Sequence, residues 1–323
     1  MQEQIVPLNP LSRNLKELIE KNRAFIAASK SPNTMRGYRS DWADYLSFAT
    51  EHNLIALPAD PATVSLYLTS RSSSLAAATL ARRLSAIAFH HSRAGYIESP
   101  TYHPLVRETF KGIRREIGTA QKAKNALLAE QIRQIVACCP ETLAGLRDKS
   151  LYLVSFAIGA RRSESAALRM EDLIFSAEGL IVTIAKSKTD QEAFGSRKAA
   201  IPFGADDATC PVRALKRYLK AAGIVSSFVF RAIDQKQRVS PVGLHPDSVG
   251  YIIKRCAARA GMKVEEISGH SLRSGFCTEA SRQSVPEYLI RRQAGFKPGS
   301  KTLDRYIRLG EMFTRNAVSG LGL

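Results

Sequence analysis

Gly269-His270-Ser271-Leu272-Arg273 is the stretch that decides how the rest of the chain is read. On a helix, an imidazole and a guanidinium three positions apart share one face. Two other segments carry matching chemistry. Upstream, Gly159-Ala160-Arg161-Arg162-Ser163-Glu164-Ser165-Ala166-Ala167-Leu168 places paired arginines and a carboxylate ahead of an apolar turn. Downstream, Tyr306-Ile307-Arg308 offers a phenol. Breaking a phosphodiester without a metal needs such a set. Fixed cations take up the charge on the phosphoryl oxygens, and the arginine fork binds two oxygens at once. A general acid protonates the leaving oxygen. A side-chain nucleophile conserves the bond energy as an ester. Taken singly, each piece is ordinary: Arg161 and Glu164 could be a helical ion pair, and Tyr306 a half-buried tyrosine.

Charge agrees with a polyanionic partner. The 323 residues hold 47 Lys and Arg against 29 Asp and Glu, a net charge of +18. Both the first 124 residues and the remainder carry a basic excess, so the charge is not one tail on a neutral body. Nucleic acid is the commonest polyanion in a cell. The five cysteines (Cys138, Cys139, Cys210, Cys256, Cys277) form no C-x-x-C and no metal-type spacing with histidine, which argues against zinc. An odd count without a secretory pattern suits a reducing cytoplasm. The longest apolar run, 151–160, is too short to span a bilayer.

Periodicity divides the chain. Residues 1–12 read as a flexible arm. Helices are expected at 15–28, 34–50, 61–70, 76–93 and 105–117, making an all-helical first domain over 13–117. In the second of these, Tyr38, Trp42, Tyr45, Leu46 and Ala49 form one stripe. Asp60-Pro61 supplies a cap and a first-turn proline. A small polar linker covers 118–124. The second domain, 125–310, mixes helices at 128–138, 146–158, 211–222, 247–260, 271–282, 286–294 and 300–309 with strands at 180–185, 199–203 and 228–230. Residues 311–323 form a tail carrying Met312, Phe313, Val318 and Leu321. Basic groups recur on helix faces: Arg36 with Arg39; Arg82, Arg83 and His90; Lys111, Arg114 and Arg115; Lys254, Arg255 and Arg259. Spread over both domains and poorly offset by acids, they are candidate DNA-backbone contacts.

The order Arg161-x-x-Glu164, Lys186-Ser187-Lys188-Thr189, His270-x-x-Arg273, Tyr306 resembles the signature of the tyrosine recombinase (phage integrase) family. Asn33 to Trp42 resembles that family's helical core-binding domain, so the likeness covers nearly the whole chain in a Cre-like two-domain layout. The resemblance implies a mainly α fold with a small antiparallel β-sheet. A SAM-like helical domain and a mixed α/β catalytic domain would form a C-shaped clamp on DNA. It implies that Arg161 and Arg273 hold the scissile phosphate and Tyr306 attacks it, leaving a 3′-phosphotyrosine. Lys188 would protonate the 5′-oxygen, His270 exchange a proton with Tyr306, and Glu164 orient His270 or Arg161. No cofactor, ATP or metal is implied. Expected partners are double-stranded DNA with inverted half-sites, three further copies in a homo-tetramer, and in some systems an accessory DNA-binding protein. The tail would dock on its own domain or on a neighbouring protomer.

Three positions stay open on the sequence. Arg162 neighbours Arg161, though the R-x-x-E register selects Arg161. Lys186 competes with Lys188. Where the family carries His or Trp ahead of the tyrosine, this chain has Phe296-Lys297. Phe296 is expected to fill the slot by packing, with Lys297 reaching the phosphate as the alternative. A type IB topoisomerase-like enzyme and a catalytically impaired DNA-binding protein are the competing functions.

Overall fold

The computed structural model describes residues 13–119, 124–184 and 196–321. The expected arm at 1–12 and most of the expected linker therefore lie outside the described residues. The chain divides into two compact units, one ending at Lys122 and one beginning at Ala123.

Five helices build the first unit: α1 (Arg13–Ala28), α2 (Pro32–Glu51), α3 (Pro61–Arg71), α4 (Ala77–Arg93) and α5 (Pro104–Ile117). Their starts are written in the sequence. The Ser31 hydroxyl accepts from the Thr34 amide at 3.2 Å, and the Asp60 carboxylate accepts from the Ala62 amide at 2.7 Å, each just ahead of a first-turn proline. Tyr45, Phe48, Val64, Tyr67, Leu68, Leu80, Ile87 and Val106 fill the core. Leu46, expected in the buried stripe, stays at the surface.

One buried polar group braces this unit. His91 Nε2 accepts from the Ala59 amide at 2.9 Å, so its Nδ1–H donates to the Ile87 carbonyl at 2.8 Å. Both ring nitrogens are used by the neutral tautomer. Burial lowers the His91 pKa from 6.5 despite the Ile87 bond. The unfolded chain therefore binds a proton first. The stability contributed is complete above 6.5 and is lost as pH falls below it. His90 shifts the same way, through burial and then the charges of His91 and Arg93. Thermal unfolding of the full chain should show a melting temperature that falls from about pH 7.5 to about pH 5.5. His91→Gln should flatten that slope; an unchanged slope would contradict the assignment.

The second unit contains α6 (Ala129–Ala137), α7 (Leu143–Ala157), α8 (Arg162–Ala167), β1 (Leu173–Phe175), β2 (Gly179–Ile184), β3 (Arg197–Pro202) and α9 (Pro211–Ala222). It continues with β4 (Arg231–Ile233), β5 (Val239–Gly243), α10 (Pro246–Arg259), α11 (Ser271–Arg282), α12 (Glu287–Ala294) and α13 (Lys301–Glu311). Strands β1, β2 and β3 pair antiparallel in that order, with Leu180 opposite Ile201 and Val182 opposite Ala199. These four side chains are buried and form the inward face. The apolar run 151–160 lies in α7 and the turn after it, and its residues are largely core. Among the described residues no helix is long and apolar enough to cross a membrane.

The strand expected at 228–230 is corrected. That segment is extended, with the Val229 amide bonded to the Leu168 carbonyl at 2.9 Å, but the paired strand is β4 just after it. Its partner β5 is joined by a turn in which Asp234 accepts from the Arg238 amide at 2.9 Å. Two short strands, β1 and β5, carry no clear strand signal in the sequence. Helix α11 passes so close to the chain before α6 that a Cβ on Gly275 would sit 1.9 Å from the Leu127 carbonyl oxygen.

Candidate active site

Helix α7 ends in a turn through Gly159, whose φ is +54°, and the chain re-enters a helix at once in α8. Arg161 is the N-cap of α8, and Glu164 reaches back as the third helical residue. Glu164 Oε2 accepts from the Arg161 amide at 2.9 Å, and Oε1 takes the Arg161 guanidinium. The R-x-x-E spacing is thus a helix-start device as well as an ion pair. Arg162 points away: it pairs with Asp247 at 2.9 Å and is half-exposed. Burial would raise the Glu164 pKa, but Arg197 and Arg161 outweigh it and hold the carboxyl below its ordinary value.

His270 is the N-cap of α11, so the H-x-x-R motif sits where the helix begins. Arg273 lies one turn in and is only 1 % exposed. Its Nη1 donates to the Gly159 carbonyl at 2.6 Å and to the Ala294 carbonyl. Its Nη2 is buried with no acceptor among the described residues. Burial, then the charge of Arg161, lowers its pKa to about 10, so it remains a cation at neutral pH. The His270 ring is open at the surface. Even so, the protein around it, followed by the charges of Arg273 and Arg161, lowers its pKa below 6.5 and favours neutral imidazole.

Tyr306 projects from α13 into a small apolar cluster with Cys277, Ile290, Ala294, Leu303 and Phe296. Burial, then Cys277, raises the phenol's pKa, while Arg273 and Arg305 pull it down. Phe296 lies between the two functional groups. Its ring centroid is 3.9 Å from the Arg273 guanidinium carbon and 6.5 Å from the Tyr306 ring, edge to face. Lys297 is exposed. A cation–π contact on a buried guanidinium contributes about 1–2 kcal/mol. Phe296→Ala should therefore slow cleavage roughly tenfold, while Lys297→Ala stays within about twofold. A dead Lys297→Ala with an intact fold would reverse the assignment.

Arg161, Glu164, His270, Arg273, Phe296 and Tyr306 are thus brought into one region from α8, α11, α13 and the turn after α12. Lys186 and Lys188 lie outside the described residues. Sequence reasoning missed Arg197, which donates from Nη2 to Glu164 Oε2 at 2.9 Å and from Nη1 to the Ile158 carbonyl at 3.2 Å. Its only signal was an arginine at the edge of the strand expected at 199–203, beside the Lys-bearing segment.

The basic helix faces separate into two sets. Arg36, Arg39, Lys111, Arg114, Arg115, Lys254 and Arg259 are exposed. Others are drawn to acids from other elements. Arg82 makes a two-pronged pair with Asp41 at 2.7 and 2.9 Å and remains half-exposed. Arg83, its side chain 13 % exposed, bonds to Asp44 and to the Tyr67 hydroxyl. Arg255 reaches Asp148 at 2.7 Å. His90 stacks on Trp42 at 4.4 Å. The expectation that acids barely offset these groups is corrected for Arg82, Arg83 and Arg255. Spacing along one helix does not reveal a carboxylate supplied by another.

Residues 125–311 match the phage integrase family, and residues 22–92 match the phage integrase N-terminal SAM-like domain. The integrase/recombinase xerD homolog of Selenomonas ruminantium is 35 % identical over 314 residues, covering 96 % of this chain and 92 % of the relative. Among solved structures, the Tn1549 transposon integrase in complex with transposon right-end DNA aligns with a TM-score of 0.61 at 13 % identity, covering 90 % of this chain and 92 % of that one. The lambda integrase bound to DNA aligns with a TM-score of 0.58 at 14 % identity, covering 92 % and 96 %. With the catalytic and the N-terminal family models both matched, in order along the chain, the chain is a member of the phage integrase family.

Proposed function

We propose that this protein is a site-specific DNA recombinase in which Tyr306 attacks the scissile phosphate and holds the 3′ end as a phosphotyrosine ester. The observation that carries this reading is the Arg273 guanidinium. It is buried and anchored by Nη1 on two helix-end carbonyls, with a buried Nη2 donor that no described residue uses. A cation held that way suits a phosphoryl oxygen.

Arg161 and Arg273 bind the non-bridging oxygens, where negative charge grows in the transition state. Neutral His270 accepts the phenol proton, which the raised Tyr306 pKa makes necessary. The Tyr306 oxygen bonds to phosphorus as the bond to the 5′-oxygen breaks, and Lys188 delivers a proton to that oxygen. A 5′-hydroxyl from a partner strand then reverses the step through a Holliday junction. One ester replaces another throughout, so the bond energy is conserved.

The exposed arginines and lysines of both units grip the phosphate backbone of double-stranded DNA in the cytoplasm. Inverted half-sites would place two protomers on each site and four on a pair of sites, with an accessory DNA-binding protein where assembly needs one. The reaction serves the integration or resolution of a mobile element or replicon. The tail supports the tetramer: Met312, Phe313, Val318 and Leu321 are exposed, Phe313 by 86 %. Phe313→Asp should cut recombination at least about fivefold, since a polar group in a hydrophobic contact costs roughly 1–3 kcal/mol. Cleavage of an isolated half-site should change little. Equal recombination would place the tail on its own domain.

The function itself is tested by joining two marked DNA sites. Sequence-dependent exchange is expected. Relaxation of any supercoiled plasmid without exchange would contradict the reading.

A further inference from the structure

We infer that Arg197, the first residue of β3, is a positioning residue for the phosphate clamp: it holds Glu164, and through it Arg161, while locking the ends of α7 and α12 together. The inference rests on the recombinase reading above. Its basis is a convergence of helix ends. The last carbonyl of α7 and the two beyond it are taken one by one. Gln293 Nε2 bonds Ala157 at 3.0 Å, Arg197 bonds Ile158 at 3.2 Å, and Arg273 bonds Gly159 at 2.6 Å. At the end of α12, Arg197 takes the Gln293 carbonyl and Arg273 takes that of Ala294. Two guanidiniums thus bridge the negative ends of the same two helices, where unsatisfied carbonyls gather.

The two differ in what they do with Nη2. Arg273 leaves it without a partner among the described residues, and Arg197 gives it to Glu164 Oε2 at 2.9 Å. Glu164 therefore faces two cations, Arg161 on its own element and Arg197 from β3, with His270 and Arg273 approaching from α11. Arg161, Glu164 and Arg197 together keep one net positive charge. Arg161 is then oriented by the carboxylate without being neutralised by it. The seat is shaped for this side chain. Gly295 has φ +66°, and a Cβ there would fall 2.4 Å from Arg197 Cδ.

The test measures single-turnover formation of the covalent protein–DNA adduct on a nicked half-site duplex, alongside half-site affinity and melting temperature. Arg197→Gln should slow adduct formation at saturating DNA by about 30-fold or more, with affinity within about threefold. Arg197→Lys restores the charge on Glu164 but not the three-way geometry, and should recover to within about tenfold of wild type. This variant also serves if Arg197→Gln unfolds. Because Arg197 acts through Glu164, adding Arg197→Gln to Glu164→Gln should cost under about threefold more. An adduct rate for Arg197→Gln within about threefold of wild type, fully additive losses, or losses that only track melting temperature would overturn the inference. Absence of any adduct in the wild type would overturn the recombinase reading and this inference with it.

Discussion

Replacing Tyr306 by Phe should abolish strand cleavage while leaving DNA binding almost unchanged. The substitution removes one oxygen and keeps the ring. The edge-to-face contact with Phe296 and the packing on Cys277 and Leu303 therefore survive. The phenol sits in a half-buried setting that raises its pKa, so removing the hydroxyl costs no solvated ion. The exposed cations proposed to grip the DNA backbone are untouched. The expected pattern is a normal gel shift with no covalent species above background. Cleavage that persists in Tyr306→Phe would mean that another nucleophile does the chemistry.

Arg273→Ala carries the second-largest effect and has two parts. The Nη2 donor and the cation are lost from the site, which should slow cleavage by roughly 10²–10³-fold, as for removal of a fixed donor to a developing oxyanion. The Gly159 and Ala294 carbonyls also lose their shared partner inside the protein. An abandoned buried polar group costs about 1–3 kcal/mol, so the melting temperature should drop as well. Arg273→Lys separates the two parts. It keeps a charge but cannot span two carbonyls and a phosphate at once, so chemistry should remain slow while stability recovers in part. A lysine variant that cleaves at the wild-type rate would contradict the forked-donor role.

Much of this was legible in the sequence because the chemistry lies in local signals. Arg161 with Glu164, and His270 with Arg273, each start a helix, so spacing alone fixed their shared face. The caps at Ser31 and Asp60 announced α2 and α3 in the same local way. What escaped was long-range. Arg197 joins Glu164 across 33 positions, and nothing near Arg197 signals a buried carboxylate. Arg83 and Arg255 look solvated on their own helices, yet Asp44 and Asp148 arrive from α2 and α7. The strand placed at 228–230 belonged one step later, because its partner β5 was too short and polar to read as a strand. Phe296 was expected to pack on the nucleophile's helix. Its closer neighbour is Arg273, which periodicity could not foresee.

The proposed reaction turns on a single covalent bond. The direct measurement traps the full-length protein on a nicked half-site duplex, digests the adduct, and locates the nucleotide-bearing peptide by mass spectrometry. The expected product is a peptide spanning Tyr306-Ile307-Arg308 with the DNA 3′-phosphate on the phenolic oxygen. A 3′-phosphate carried by any other residue, or a 5′-linked adduct, would contradict it.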